Sequence, residues 1–306
     1  MRSAGGPMRV FRTPWPGGVP LRGSRAHGGP FGALRSGVRK VGRGVAACVL
    51  SALPVCAGPA VQARALADIR ASGHLNIGVN PALPPLAAYD SRNVIEGFDV
   101  DVGTALAARL GVVPRFVPVS SSGRIPYLMA GKADVVLGGL TRTPERAAVI
   151  AFSVPLYVEE FAIIAPAAAR VGGLDDLASG RVRMVEVRGS TAVPFLREHA
   201  PKAPILLLGS YPDAVRALAQ GRGDAMVDVI EYVGRFLAAE PQAGWTIRRG
   251  FAPAAGEDCV GVARSDTDLL RAVDGMLAGL TRDGTIQAAY RRWFGVSMVA
   301  PVERRP

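Results

Sequence analysis

Cysteine and histidine are scarce in this chain of 306 residues, with three of each. Cys48 and Cys56 lie in an N-terminal leader, so Cys259 stands alone beyond it and no internal disulfide is available to the mature part. His74 and His199 are far apart and lack Cys or carboxylate clusters at metal-ligand spacing. They supply too little for a zinc site or a histidine-driven nucleophile, and no cofactor is expected. A long apolar run is missing as well: the stretch at 45–55 is short and interrupted by Pro54, with Gly58 following, which is poor material for a membrane span. Acidic residues are absent from residues 1–65, which hold ten Lys and Arg. Taking those 10 from the total of 36 leaves 26 basic residues against 25 acidic ones, so the net charge of +11 belongs almost wholly to the leader. The remainder is electrically balanced and implies no basic face that would follow phosphates; no nucleic-acid partner is expected.

What the leader does contain has the order of a secretory signal. Arg39, Lys40 and Arg43 precede the apolar stretch, and Ala63-Arg64-Ala65 offers small residues at the spacing that signal peptidase favours. Export to the periplasm with removal of residues 1–65 is the expectation. Residues 1–37, rich in Gly, Pro and Arg, have no role in such a signal, which points to a reading frame that begins after Met1. Val55 is larger than the residue that precedes a lipidated cysteine, so Cys56 is not expected to be an anchor.

From Leu66 onward apolar strands alternate with helical segments, the pattern of α/β layering. The 49% hydrophobic content provides a core for one large domain or two modest ones. Residues 75–79 read as a strand, followed by a rigid loop at 81–85. Residues 97–111 read mostly as a helix with Val102, Leu106, Ala107 and Leu110 on one stripe and Gly111 at its end. Strands at 115–118 and 133–137 with a helix at 125–130 complete a β-α-β-α-β unit, whose crossovers should be right-handed. A second unit has strands at 161–165, 182–187, 205–208 and 224–229, with helices between and after them. A strand at 259–263 and two helices, 267–282 and 285–293, close the chain, and residues 298–306 read as a tail.

The most informative phrase is VVLGGLTRTPERAAVIAFSVPLY, residues 135–157. Val135, Val136 and Leu137 have the continuous apolar character of a strand buried on both faces. Gly138 and Gly139 allow close approach to the backbone. Thr141 and Thr143 offer hydroxyls, and Thr-Arg-Thr-Pro-Glu reads as a helix start. Ligands of open α/β sheets gather beyond the carboxyl ends of strands, where a guanidinium can grip a carboxylate through paired hydrogen bonds.

That phrase resembles the corresponding part of the family 3 bacterial extracellular solute-binding proteins, the periplasmic amino-acid receptors of ABC importers. The likeness continues in order through the chain: Leu75-Asn76-Ile77-Gly78-Val79 before Pro84-Pro85, GFDVDVGTALAARLG, Gly131-Lys132-Ala133-Asp134, Arg188-Gly189-Ser190-Thr191, DAVRALAQGRGD, Asp283-Gly284-Thr285 and YRRWFG. The resemblance implies a type II, two-lobed α/β fold, each lobe a mostly parallel sheet flanked by helices, joined by two hinge strands. Lobe one would be residues 66–160 plus 256–306 and lobe two 161–255. It also implies a monomeric, non-catalytic receptor with a small-molecule carboxylate as ligand and an inner-membrane ABC permease as partner.

Residue by residue, the resemblance gives the α-carboxylate to Arg146 and leaves Arg142 exposed. Thr141 and the Gly139 carbonyl would take an α-ammonium. Ser190 and Thr191, at a helix start, would add donors across the cleft, although N-capping alone would also account for them. Asp228 is the expected acid for the ammonium, displaced by one residue from the family position, which Val229 holds; Glu231 is its alternative. Leu83 and Leu86 stand where an aromatic often stacks on the ligand, so Leu83 would give apolar contact without cation–π attraction. Residues 120–122 read as a polar loop and Arg124 as surface charge. Two other functions fit the same fold: a cyclohexadienyl or arogenate dehydratase using Asp228 or Glu231 as acid, and a ligand-sensing partner of a membrane receptor.

Overall fold

The computed structural model describes residues 64–251, 255–295 and 298. Cys48, Cys56, most of the leader and all but Met298 of the tail lie outside the described residues. The first elements among the described residues are α1 (Leu66–Ser72) and β1 (His74–Val79), followed by three short strands, β2 (Ala82–Leu83), β3 (Ala87–Tyr89) and β4 (Ile95–Glu96). Next come α2 (Phe98–Leu110), β5 (Val113–Pro118), α3 (Arg124–Met129), β6 (Val135–Val136), α4 (Pro144–Ala147) and β7 (Ile150–Glu159). The second stretch holds β8 (Phe161–Pro166), α5 (Leu174–Ala178), β9 (Met184–Val187), α6 (Ala192–His199) and β10 (Ile205–Leu208). It continues with α7 (Tyr211–Ala219), β11 (Met226–Val229), α8 (Ile230–Ala239) and β12 (Trp245–Arg248). Finally β13 (Gly256–Ala263) leads to α9 (Thr267–Arg282) and α10 (Thr285–Phe294).

One lobe is built on a five-stranded sheet in the order β5-β1-β6-β13-β7. β1 runs parallel to both β5 and β6, with Ile77 opposite Phe116 and Val135, as the β-α-β-α-β reading requires. β13 then joins antiparallel to β6 and β7. α2 lies on this sheet through Val102, Leu106, Ala107 and Leu110, all buried, and ends where Gly111 takes a φ of +74° and donates to the Ala107 and Ala108 carbonyls. Phe98, Tyr157, Tyr290 and Phe294 meet edge to face at centroid separations of 5.4–6.0 Å, and Tyr290 stacks on Phe294 at 4.2 Å. This aromatic group ties α2 and α10 to β7. In α9 the stripe is Leu269, Val273, Leu277 and Leu280; Leu270 is only half-buried.

The other lobe differs from a mostly parallel sheet. β9 and β10 pair in parallel, but β11 and β12 both pair antiparallel with β8, in the order β11-β8-β12. The reason is chain path: β8 enters directly from β7 with only Glu160 between them, so its direction is set by the crossing and not by a helical return. β12 has no counterpart in the strands expected from the sequence, because Trp245-Thr246-Ile247-Arg248 is short and half exposed. Asp134 anchors the turn before β6, accepting the Asn76 N–H at 2.7 Å and pairing with Arg64.

Leu106 is fully buried between α2 and the sheet. Leu106→Ala is expected to cost about 2–5 kcal/mol, from lost burial plus the cavity left behind. A urea midpoint that falls at unchanged slope would report it.

Candidate functional site

The local sequence fixes Arg146 first. α4 is a single turn, in which Thr143 Oγ1 accepts the Arg146 N–H at 3.3 Å and Pro144 opens the helix. From there Nη1 of Arg146 donates to the Thr141 carbonyl at 2.7 Å and Nη2 to the Gly189 carbonyl at 2.8 Å. Thr141 and Gly189 lie on opposite lobes, so the guanidinium bridges the cleft.

Arg124 is not surface charge, as the sequence suggested; it is 3% exposed. Its Nε donates to the Ser121 carbonyl at 2.9 Å, and its Nη1 donates to the Gly138 carbonyl at 2.7 Å and to that of Gly139. Its Nη2 donates to the Gly189 carbonyl at 3.1 Å. Gly138 and Gly139 have φ values of +87° and +68°, a left-handed turn that gives both carbonyls to one side chain. Arg142, expected to be exposed, is half-buried, donating to the Ser153 carbonyl and pairing with Glu257 at 3.4 Å.

Gly189 is required twice over. Its φ is +85°, and a Cβ there would fall 2.9 Å from both N and Cα of Ser122 on the opposite lobe. Beside this contact lies a cleft of about 380 Å³ whose walls include Arg124, Arg146, Ser121, Ser190 and Thr191. The capping account of Ser190 and Thr191 does not hold: α6 starts without a side-chain cap, and the buried Ser190 hydroxyl has no partner among the described residues. Burial, with Arg124 alongside, pushes the Arg146 guanidinium down to about 10, so it stays charged at neutral pH. Two close cations and an unpaired hydroxyl suit an anion.

The remaining predicted residues are placed elsewhere. The Gly139 carbonyl is engaged by Arg124, and a Cβ on Gly139 would meet Tyr232 Cζ at 3.0 Å and Leu83 Cδ2 at 3.1 Å. Thr141 is buried, its carbonyl taken by Arg146 and its hydroxyl beside the Glu159 carboxyl. Asp228 is buried on β11, where Oδ1 accepts from the Val229 N–H at 2.7 Å and the Tyr211 hydroxyl at 3.4 Å, with Glu159 and Arg124 among its charged neighbours. Glu231 lines a separate groove with Arg235, Arg249 and Trp293. The polar loop at 120–122 contributes more than expected, since Ser121 is buried and accepts from Asn80 Nδ2 at 3.0 Å.

Sequence reasoning missed Arg124, Glu159, Tyr157 and Tyr232. For Arg124 one signal was present: no acid stands three or four residues away to make it part of a surface pair. Glu159 gave none, because Glu159-Glu160 reads as solvated charge although Glu159 is 1% exposed. Burial raises the Glu159 carboxyl, and the Tyr232 hydroxyl donates to its Oε1.

Burial also pushes the Asp228 carboxyl from 3.8 up to about 7. The folded chain therefore holds a proton that the unfolded chain releases, so this contribution is full at low pH and is lost as pH rises through about 7. Asp228→Asn, which keeps the acceptor, should remove up to about 1.4 kcal/mol per pH unit of that decline. Urea unfolding at several pH values between 4 and 8 measures the difference in slope.

The model of the bacterial extracellular solute-binding proteins, family 3, matches residues 75–296. ABC transporter arginine-binding protein 1 of Escherichia coli is 29% identical over 226 residues, 73% of this chain and 92% of that protein. The solute receptor for L-cysteine of Neisseria gonorrhoeae aligns with a TM-score of 0.70 and 27% identity, covering 75% of this chain and 93% of that one. The ancestral amino acid-binding protein AncCDT-1, described as a precursor of cyclohexadienyl dehydratase, aligns with a TM-score of 0.68 and 29% identity, covering 75% and 98%. With the two lobes, the crossing strands and the cleft arginines in place, this chain belongs to the family 3 bacterial extracellular solute-binding proteins.

Proposed function

We propose that the protein is a periplasmic receptor that captures an amino acid or related small carboxylate between its lobes and delivers it to an inner-membrane ABC permease. The observation that carries this reading is the cleft where Arg146 and Arg124 converge on Gly189 beside the unpaired Ser190 hydroxyl. Arg146 holds the carboxylate, while Ser190, Thr191 and the N–H groups at the start of α6 add donors from the other lobe. Gly139 and Thr141 serve through their carbonyls, which hold Arg124 and Arg146 in place. Groups on both lobes meeting one small anion give the closed arrangement its advantage over the open one.

On this reading the lobes are residues 66–160 with 256–306 and residues 161–255. Residues 1–65 are removed on export, and the receptor acts as a monomer without catalysis. The names of its relatives, which cite arginine and cysteine, support an amino acid or a close analogue. A dehydratase is the second reading: AncCDT-1, itself an amino acid-binding protein, is described as a precursor of cyclohexadienyl dehydratase, and a buried acid, Glu159, lies near Arg146. Glu231, one of the acids first considered for it, lines a separate groove, and Asp228 is buried with its Oδ1 accepting from the Tyr211 hydroxyl.

A thermal-shift screen of the full chain with amino acids and small organic acids should find a ligand that raises the melting temperature by mass action. Arg146→Ala should then weaken that ligand by about 100-fold or more, since two charge-assisted hydrogen bonds contribute roughly 1.5–3 kcal/mol each. Unchanged affinity would remove Arg146 from the site. Phenylpyruvate or phenylalanine appearing from prephenate or arogenate would replace the receptor with the enzyme.

A further inference from the structure

Tyr232 belongs to none of the roles described so far, yet it reaches across to the first lobe near Arg146. It projects from α8 of the second lobe, is 2% exposed, and its ring lies against Gly139 and close to Leu83 of the first lobe. Its hydroxyl stands 3.2 Å from that of Tyr157 and donates to Glu159 Oε1, at the end of β7. Tyr211 packs edge-on behind it at a centroid separation of 6.3 Å. The phenol thus covers two residues expected to touch the ligand and consumes one oxygen of a carboxyl that lies near Arg146. The other oxygen, Glu159 Oε2, is buried and has no partner among the described residues.

We propose that Tyr232 is the specificity-determining residue of the cleft: its ring closes the deep end to long side chains and its hydroxyl withholds Glu159 from cationic ones. This rests on the receptor reading and narrows its ligand to compact carboxylates without a cationic side chain. A long cationic ligand anchored at Arg146 would have to displace a buried aromatic ring and break its hydroxyl's contacts with Tyr157 and Glu159, a penalty compact ligands avoid. With the ring removed, the same space would end in a carboxylate able to pair with a guanidinium or ammonium group.

The test compares the full-length wild type, Tyr232→Ala and Tyr232→Phe by thermal shift and calorimetry, using glycine, L-alanine, succinate, L-lysine and L-arginine as probes. The wild type should respond to at least one of the first three and not to the last two. Tyr232→Ala should gain affinity for L-arginine or L-lysine by tenfold or more, whereas Tyr232→Phe, which keeps the ring, should not. If Tyr232→Ala fails to fold, Tyr232→Leu keeps the apolar contact while shortening the side chain, and the same gain is expected. Wild-type binding of L-arginine as tight as that of any compact probe, or no gain in any folded shortened variant, would overturn the assignment while leaving the receptor reading in place. Silence of the wild type toward these probes and the wider screen of acids would overturn both.

Discussion

One backbone oxygen of the second lobe holds two cations of the first. The Gly189 carbonyl accepts from Arg146 at 2.8 Å and from Arg124 at 3.1 Å, and both guanidiniums come from the opposite lobe. Only a residue without a Cβ can stand there, because the backbone of Ser122 is 2.9 Å from the place a Cβ would take. The arrangement also orients the cations: each is held by carbonyl groups, which stabilise the charge without neutralising it. An anion entering the cleft therefore meets fixed donors whose reorganisation cost has already been met in folding.

Arg124 has a second consequence. Its bonds to the Gly138 and Gly139 carbonyls draw the loop after β6 onto the start of α3, while Asp99 Oδ2 of α2 accepts the Gly138 N–H at 2.8 Å. The glycine turn is thus fixed from both sides, and with it the path leading to Thr141 and α4. A charged residue reads as a surface feature from its one-letter code. Here it replaces the packing that two glycines cannot supply.

The interior around the cleft is rich in acids. Asp99, Glu159, Glu186, Asp228 and Asp258 are all buried, and burial raises every one of these carboxyl groups. Tyrosine hydroxyls from both lobes lie among them, with Tyr232 and Tyr211 donating to Glu159 and Asp228. Such a network is stable when protons and hydroxyls satisfy it and costly when a carboxylate ionises without a partner.

The layered α/β fold, the buried stripe of α2 and the one-turn helix carrying Arg146 were legible in the amino-acid sequence, since periodicity, caps and the Thr-x-Thr-Pro-Glu-Arg spacing are local properties. Ser190 and Thr191 were legible for the same reason, because a Gly-Ser-Thr phrase at a strand end names its own neighbourhood. The antiparallel set of β8, β11 and β12 was not, because strand direction depends on which lobe the chain has just left. Nor were the burial of Arg124 and of Asp228, or the meeting of Tyr232 with Glu159. Tyr232 and Glu159 stand 73 positions apart, and no window along the chain shows which distant carbonyl or carboxyl will face a given side chain. Sequence determined the elements and the turn that carries Arg146; the folding of one lobe against the other decided what surrounds it, because burial and charge pairing are properties of neighbours in space.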